Sequence, residues 1–219
     1  MLVSEKFLFL LPLNNEGKIM KNLFKISCAL IFSLVAFNSN THATPSQKTL
    51  KMLEDYLNKA HTLTADFEQI DNNGKLSHGK FYLSRPGKLR LQYTDPNPLL
   101  IVADGEFLIH HDPSTKEITT MAISETPAEF ILRHTINFKE DIKVIKFQEE
   151  QNFYKVTLAK TATAEAGTLM LKFSKAPLQL IQWIVIDAQG LDTTVNLTNL
   201  KTNAILNEKL FIFKEVSNF

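Results

Sequence analysis

The chain has 219 residues, 44% of them hydrophobic, and a single cysteine, Cys28. Its 24 basic and 23 acidic side chains nearly cancel, and the arginines are only Arg85, Arg90 and Arg133, so there is no basic surface of the kind a nucleic-acid binder needs. One cysteine cannot build an intrachain disulfide framework, so stability has to come from an apolar core.

The first element in chain order is a targeting segment. Met20 is followed by Lys21 and Lys25, then by the apolar run Ile26–Phe37, then by the small residues Thr41 and Ala43. That order is the layout of a secretory signal peptide. The apolar run is shorter than the ~20 residues a spanning helix requires. Residues 1–43 are therefore expected to be a signal peptide, translated from Met20 and removed after Ala43. Cys28 has Lys25 three residues before it, where a lipidation signal wants an aliphatic residue, so it is not read as a lipid acceptor. Removing this segment takes away four lysines and two acids, which leaves 20 basic and 21 acidic residues in 44–219. That length suits one domain.

A helix is expected next. Leu50, Leu53, Leu57 and Ala60 recur at three- and four-residue spacing with Tyr56 beside them, and Ser46 stands at the N-cap position. Most of the remaining chain alternates with period two. Leu63, Ala65 and Phe67 lead to a turn at Asp71–Gly74. Strand-like runs come next at 79–84, 89–93 and 99–103, with a hairpin signal at Asp104-Gly105. Further runs lie at 106–111, 116–123, 142–147, 153–158, 167–173, 178–186 and 191–200, and "KLFIF" at 209–213 reads as a closing strand. One stretch interrupts them. Thr126, Pro127 and Glu129 match a capping box, and Phe130, Ile131 and Leu132 make a short apolar helix ending at Arg133 and His134.

The coarse expectation is a mainly β protein: a large, curved antiparallel sheet of about eleven strands with two helices. Two versions fit. In one, the helices plug a filled barrel or sandwich. In the other, they are a lid over an apolar cavity in a half-open barrel. Parity then places Phe67, Phe81, Leu83, Leu89, Leu91, Tyr93 and Ile101 on the cavity face, with Phe130 and Ile131 above it. Arg85 falls in phase with Phe81 and Leu83, which is unusual for a charged residue.

Signs of catalysis are few. "HHDP", His110 to Pro113, offers His110, His111 and Asp112 as metal ligands or acid and base. Two neighbouring residues on a strand point to opposite faces, so the histidines do not converge on one ion. Phosphate-binding glycine loops and nucleophile-elbow serines do not occur. Trp183 reads as core.

The segments "LTADFEQ", "GKFYLSRPGKLRLQYTDPNPLLIVADGE" and "TPAEFILR" resemble the LolA family of periplasmic carriers of outer-membrane lipoproteins. The matching features are Phe67 with Gln69, Arg85-Pro86 at a strand end, Thr94 to Pro96, and Ala103-Asp104-Gly105. The resemblance implies an incomplete antiparallel β-barrel covered by helices, with an apolar cavity for acyl chains and neither enzymatic activity nor a cofactor. It implies a monomer in the periplasm, loaded by an inner-membrane lipoprotein-releasing ABC transporter and unloaded to an outer-membrane acceptor. It also implies a role for Arg85: a latch that bonds the lid helices and holds the empty form closed. Alternatives are a carrier or sensor of another amphiphile and a metal-dependent hydrolase using His110, His111 and Asp112.

Overall fold

A computed structural model describes residues 46–94, 96, 98–140, 142–160 and 167–214. Residues 1–43, expected to be a signal peptide, lie outside the described residues. Helix α1, Gln47–Lys59, precedes eleven strands. These are β1 Thr62–Ile70, β2 Leu76–Ser84, β3 Lys88–Tyr93, β4 Leu100–Asp104, β5 Phe107–Asp112, β6 Glu117–Ala122, β7 Ile142–Glu149, β8 Phe153–Lys160, β9 Thr168–Lys175, β10 Leu178–Ile186 and β11 Asp192–Thr202. Between β6 and β7 lie a 3-10 turn, Ile123–Glu125, and a one-turn helix α2, Glu129–Leu132.

All eleven strands join one open antiparallel sheet in the order β6-β5-β4-β3-β2-β1-β11-β10-β9-β8-β7. The chain runs outward from β1 to the β6 edge, crosses to the β7 edge, and returns inward to pair β11 with β1. The expected incomplete barrel with a helical cover is thus the observed fold. Alternation explains the strands. Leu63, Ala65 and Phe67 of β1, Leu89, Leu91 and Tyr93 of β3, and Leu169, Leu171 and Phe173 of β9 are all buried on one face. Burial of each large side chain contributes about 1.5–3 kcal/mol. Bulges between Thr64 and Asp66, Leu180 and Gln182, and Val144 and Lys146 interrupt the registers, and such insertions bend a strand and increase its twist.

Two expectations are corrected. "KLFIF" is not a strand: Glu208–Phe211 is a 3-10 turn. The Asn207 side chain accepts from the Lys209 amide, and Phe211 is buried near Lys88, Asp104 and Ile109. Thr126 does not form a capping box either. Its hydroxyl donates to the Ile123 carbonyl at 2.9 Å, and the Glu129 carboxylate is taken by Arg133 and Lys160. Ser46 does stand at the α1 N-cap, but its carbonyl, not its hydroxyl, receives the Thr49 and Leu50 amides.

Gly79 lets two aromatic rings meet across β2. It pairs with Phe67 on one side and Tyr93 on the other, and those rings touch edge to face with centroids 4.9 Å apart. A Cβ on Gly79 would lie 2.6 Å from Phe67 Cε1 and 2.2 Å from the Gln92 carbonyl oxygen. Gly79→Ala is therefore expected to destabilise the fold by about 1–3 kcal/mol through overpacking. Urea unfolding midpoints of the two proteins measure this, and equal midpoints would rule the crowding out.

Candidate functional site: a clasped lid over the apolar face

Three sides of α1 do different work. Leu53 and Leu57, one turn apart, are buried against the sheet. The Tyr56 hydroxyl accepts from the Leu180 amide at 3.1 Å, next to the β10 bulge, and its ring meets Phe173 edge to face. The third side is the helix end. The last carbonyls of a helix have no intrahelical donors and carry the negative end of its dipole. Arg85 supplies the donor: its Nη2 bonds the Ala60 carbonyl at 2.7 Å and also the Leu57 carbonyl.

Local structure delivers Arg85 there. Its amide bonds the His61 carbonyl at 2.9 Å, and Thr62 pairs with Ser84, so β1 returns β2 to the end of α1. Burial pushes the guanidinium down to about 10, which leaves it cationic at neutral pH. Its Nε is buried without a hydrogen-bond partner among the described residues. One nitrogen thus serves two carbonyls while another is desolvated for no return, a state that costs free energy in a low-dielectric setting.

The second part of the lid is the crossover from β6 to β7. Phe130, Leu132, Ile136 and Phe138 bury themselves in the same cluster as Leu53 and Leu57. The turn after Arg85 holds this segment: the Gly87 amide bonds the Leu132 carbonyl at 2.7 Å. Gly87 has φ of +79°, and a Cβ there would sit 2.8 Å from the Gly105 Cα, so only glycine allows the approach. On the other flank, Lys160 of β8 bonds the Ser124 carbonyl and pairs with Glu129, which also pairs with Arg133 at 2.8 Å. One turn, residues 85–87, therefore touches both parts of the lid.

The residues that parity assigned to the inner face come together. Phe67, Phe81, Leu83, Leu89, Leu91, Tyr93 and Phe130 are buried in one cluster, and Ile101 and Ile131 pack against it. They meet side chains of α1 and the crossover and the opposite half of the sheet; Phe81, for example, contacts the Trp183 ring with centroids 5.1 Å apart. Burial pushes the Tyr93 hydroxyl up to about 12, so it remains a donor to Gln69 Oε1 at 2.6 Å. His110 and His111 are consecutive on β5. His111 packs edge-on against Phe213, and Asp112 turns back to the Ser114 amide and hydroxyl. Among the described residues, no three His, Cys, Asp or Glu side chains are grouped to hold a metal ion.

Sequence reasoning missed Glu54, Asn58, Gly87 and Lys160. Glu54 and Asn58 had a signal: each directly follows a core leucine, at the edge of the α1 apolar stripe, and they recur four residues apart. Lys160 had none, because its partners lie 31 and 36 residues away in sequence, at Glu129 and Ser124.

Residues 58–214 match the family model described as outer membrane lipoprotein carrier protein LolA. An outer-membrane lipoprotein carrier protein of Legionella pneumophila (strain Paris) is 31% identical over 182 residues, covering 80% of this chain and 89% of that one. One from Pseudomonas aeruginosa (strain PAO1) is 29% identical over 206 residues, covering 90% and 94%. Among solved structures, a LolA superfamily protein from Nitrosomonas europaea aligns with a TM-score of 0.43 and 10% identity, covering 77% of this chain and 98% of that one.

The side chains of Lys160 and Glu129 are only 15% and 23% exposed. Removing the cation leaves Glu129 Oε2 and the Ser124 carbonyl without their donor, while Arg133 still holds Oε1, so Lys160→Met is expected to lose about 1–3 kcal/mol. The loss is expected to show first as faster amide exchange in 123–132 than in β9 and β10. A uniform increase across the sheet would mean that Lys160 does not act on the lid.

Proposed function

The chain belongs to the LolA family of outer-membrane lipoprotein carrier proteins, and on that footing we propose that it shields the acyl chains of lipoproteins and carries them from the inner to the outer membrane. The family's members are carriers and not enzymes. On this reading residues 1–43 are an export signal, residues 44–219 work in the periplasm as a monomer, and no cofactor takes part. An inner-membrane lipoprotein-releasing ABC transporter loads the protein and an outer-membrane acceptor unloads it.

The observation that carries the reading is Arg85 Nη2 on the Ala60 and Leu57 carbonyls. A buried cation on the end of a cover helix is a poor way to make a permanent core, because an apolar residue would do that at less desolvation cost. It is a good way to make a cover that lifts. When α1 and the β6–β7 crossover rise, Phe67, Phe81, Leu83, Leu89, Leu91, Tyr93 and Ile101 become the floor of an apolar cavity, and Phe130 and Ile131 part of its roof. Acyl chains then take the place of lid side chains, and the latch bonds are lost.

Arg85→Leu is expected to fold and accept lipoprotein from inner membranes but to hand it on slowly. Leucine removes the closed-state bonds and adds apolar contact to the cargo, so both changes favour the loaded form. Losing charged hydrogen bonds worth about 1.5–3 kcal/mol tightens retention roughly ten- to hundredfold. Lysine in the same place keeps the charge but not the fork, so Arg85→Lys is expected to fall between. The check is the rate of transfer of labelled lipoprotein to outer-membrane acceptor; equal rates for all three proteins would remove Arg85 as a latch.

A further inference from the structure

Glu54 and Asn58 lie one turn apart on α1, on the flank that faces the β6–β7 crossover. The Asn58 carboxamide grips both polar groups of one residue: Oδ1 accepts from the Ile136 amide at 2.8 Å, and Nδ2 donates to the Ile136 carbonyl at 2.9 Å. Glu54 Oε1 accepts from the Phe138 amide at 2.6 Å. Glu54 is 8% exposed, and Ile136 and Phe138 are 2% and 6% exposed. We propose that Glu54 and Asn58 are positioning residues that fasten the two parts of the lid into one body, so that α1 and residues 123–138 lift together.

The polar anchors of the two parts are separate. Among the described residues, the side chains of Arg85 and Tyr56 bond α1 to the sheet and make no hydrogen bond to 123–138. Gly87 and Lys160 hold 123–138 and make none to α1. Breaking the Arg85 bonds alone would therefore loosen the C-terminal end of α1, still tied to the sheet through Tyr56, and leave the crossover seated. The three seam bonds change that. Parting α1 from the crossover leaves a carboxylate, a carboxamide, two amides and a carbonyl without partners in apolar surroundings. Keeping the seam closed and lifting both parts avoids that cost. A buried carboxylate beside a core leucine is hard to account for by packing alone, since an apolar residue at 54 would suit the cluster.

The use of this coupling rests on the carrier reading; the coupling itself belongs to the closed fold and is measured without cargo. Amide hydrogen exchange would be followed in four full-length proteins: wild type, Arg85→Leu, the seam variant Glu54→Leu/Asn58→Leu, and the triple variant. With the seam intact, Arg85→Leu is expected to speed exchange in α1 and in 130–138 by the same factor, about tenfold or more. With the seam removed, Arg85→Leu should still speed α1 while leaving 130–138 unchanged. Glu54→Gln keeps an acceptor for the Phe138 amide and should restore the joint response, which a general loss of packing would not do. Should the double variant fail to fold, Asn58→Asp, which keeps the acceptor and loses the donor, is read in its place and should weaken the joint response. The proposal falls if 130–138 ignores Arg85→Leu in the intact seam, or responds equally without it. Either result leaves the carrier reading standing, because that reading is tested separately by the transfer assay.

Discussion

The two edges of the sheet, β6 and β7, are consecutive in sequence, and this one constraint organises the molecule. The segment joining them must travel from one edge to the other. Phe130, Leu132, Ile136 and Phe138 take it over the apolar face, where they displace water from that face. Because β1 and β11 pair at the centre, the helix preceding β1 starts from the middle of the same face. A cover made of α1 and the crossover is thus a consequence of topology. The edges stay open, and β7 bears a bulge and the lysines Lys143 and Lys146, devices that discourage further pairing.

If the cover over this open sheet is removable, as the carrier proposal requires, it faces an energetic problem that the side-chain inventory addresses. Burial of the lid residues Leu53, Leu57, Phe130, Leu132, Ile136 and Phe138 contributes roughly 9–18 kcal/mol at about 1.5–3 each, an upper estimate. An acyl chain of ~15 methylenes loses ~12 kcal/mol of exposure at ~0.8 each. For the carrier proposed here, exchanging lid side chains for one acyl chain is close to balanced. Three acyl chains bound with nothing displaced would total ~36 kcal/mol, well beyond the ceiling of ~20 for non-covalent affinity. Covering the empty face lowers the net gain on loading, so the cargo can leave again.

How much of this was legible in the sequence depends on the range of each interaction. Strands announced themselves because alternation is local: Leu63, Ala65 and Phe67 need only a shared dry face to be recognised. Parity put Phe67, Phe81, Leu83, Leu91 and Ile101 on one face, and none of the bulges at Thr64/Asp66, Val144/Lys146 and Leu180/Gln182 falls between those residues to reverse their facing. Arg85 was visible as an anomaly, a charge in phase with phenylalanine and leucine. Its partners at the end of a lid helix were suggested only by the family resemblance, because they are backbone carbonyls and backbone atoms leave no mark on composition. Nor does composition mark Asn58 on Ile136 or Gly87 on Leu132. "KLFIF" misled because alternating apolar residues describe any segment that inserts every second side chain. Thr126 misled because a capping box and a hydroxyl bonded three residues back use the same letters.

When apolar terms nearly cancel, polar terms of a few kcal/mol decide which state is populated, and here they are placed at helix ends and seams, away from the floor of the sheet. Arg85 is the extreme case. It bonds two carbonyls through one nitrogen and leaves Nε unserved, so its hold is real but incomplete. A fully satisfied arginine would lock the cover; an apolar residue would leave its position to packing alone, which acyl chains imitate well. A partly satisfied one sits between, and for the carrier proposed here its contribution would be switched by the same displacement that exposes the floor. Directional bonds fade within about an ångström of movement, whereas apolar contact fades with area. On the proposed carrier reading, the clasp resists the first step of opening and contributes nothing to the later ones, which is the behaviour a cover needs if it is to stay shut when empty and stay out of the way when filled.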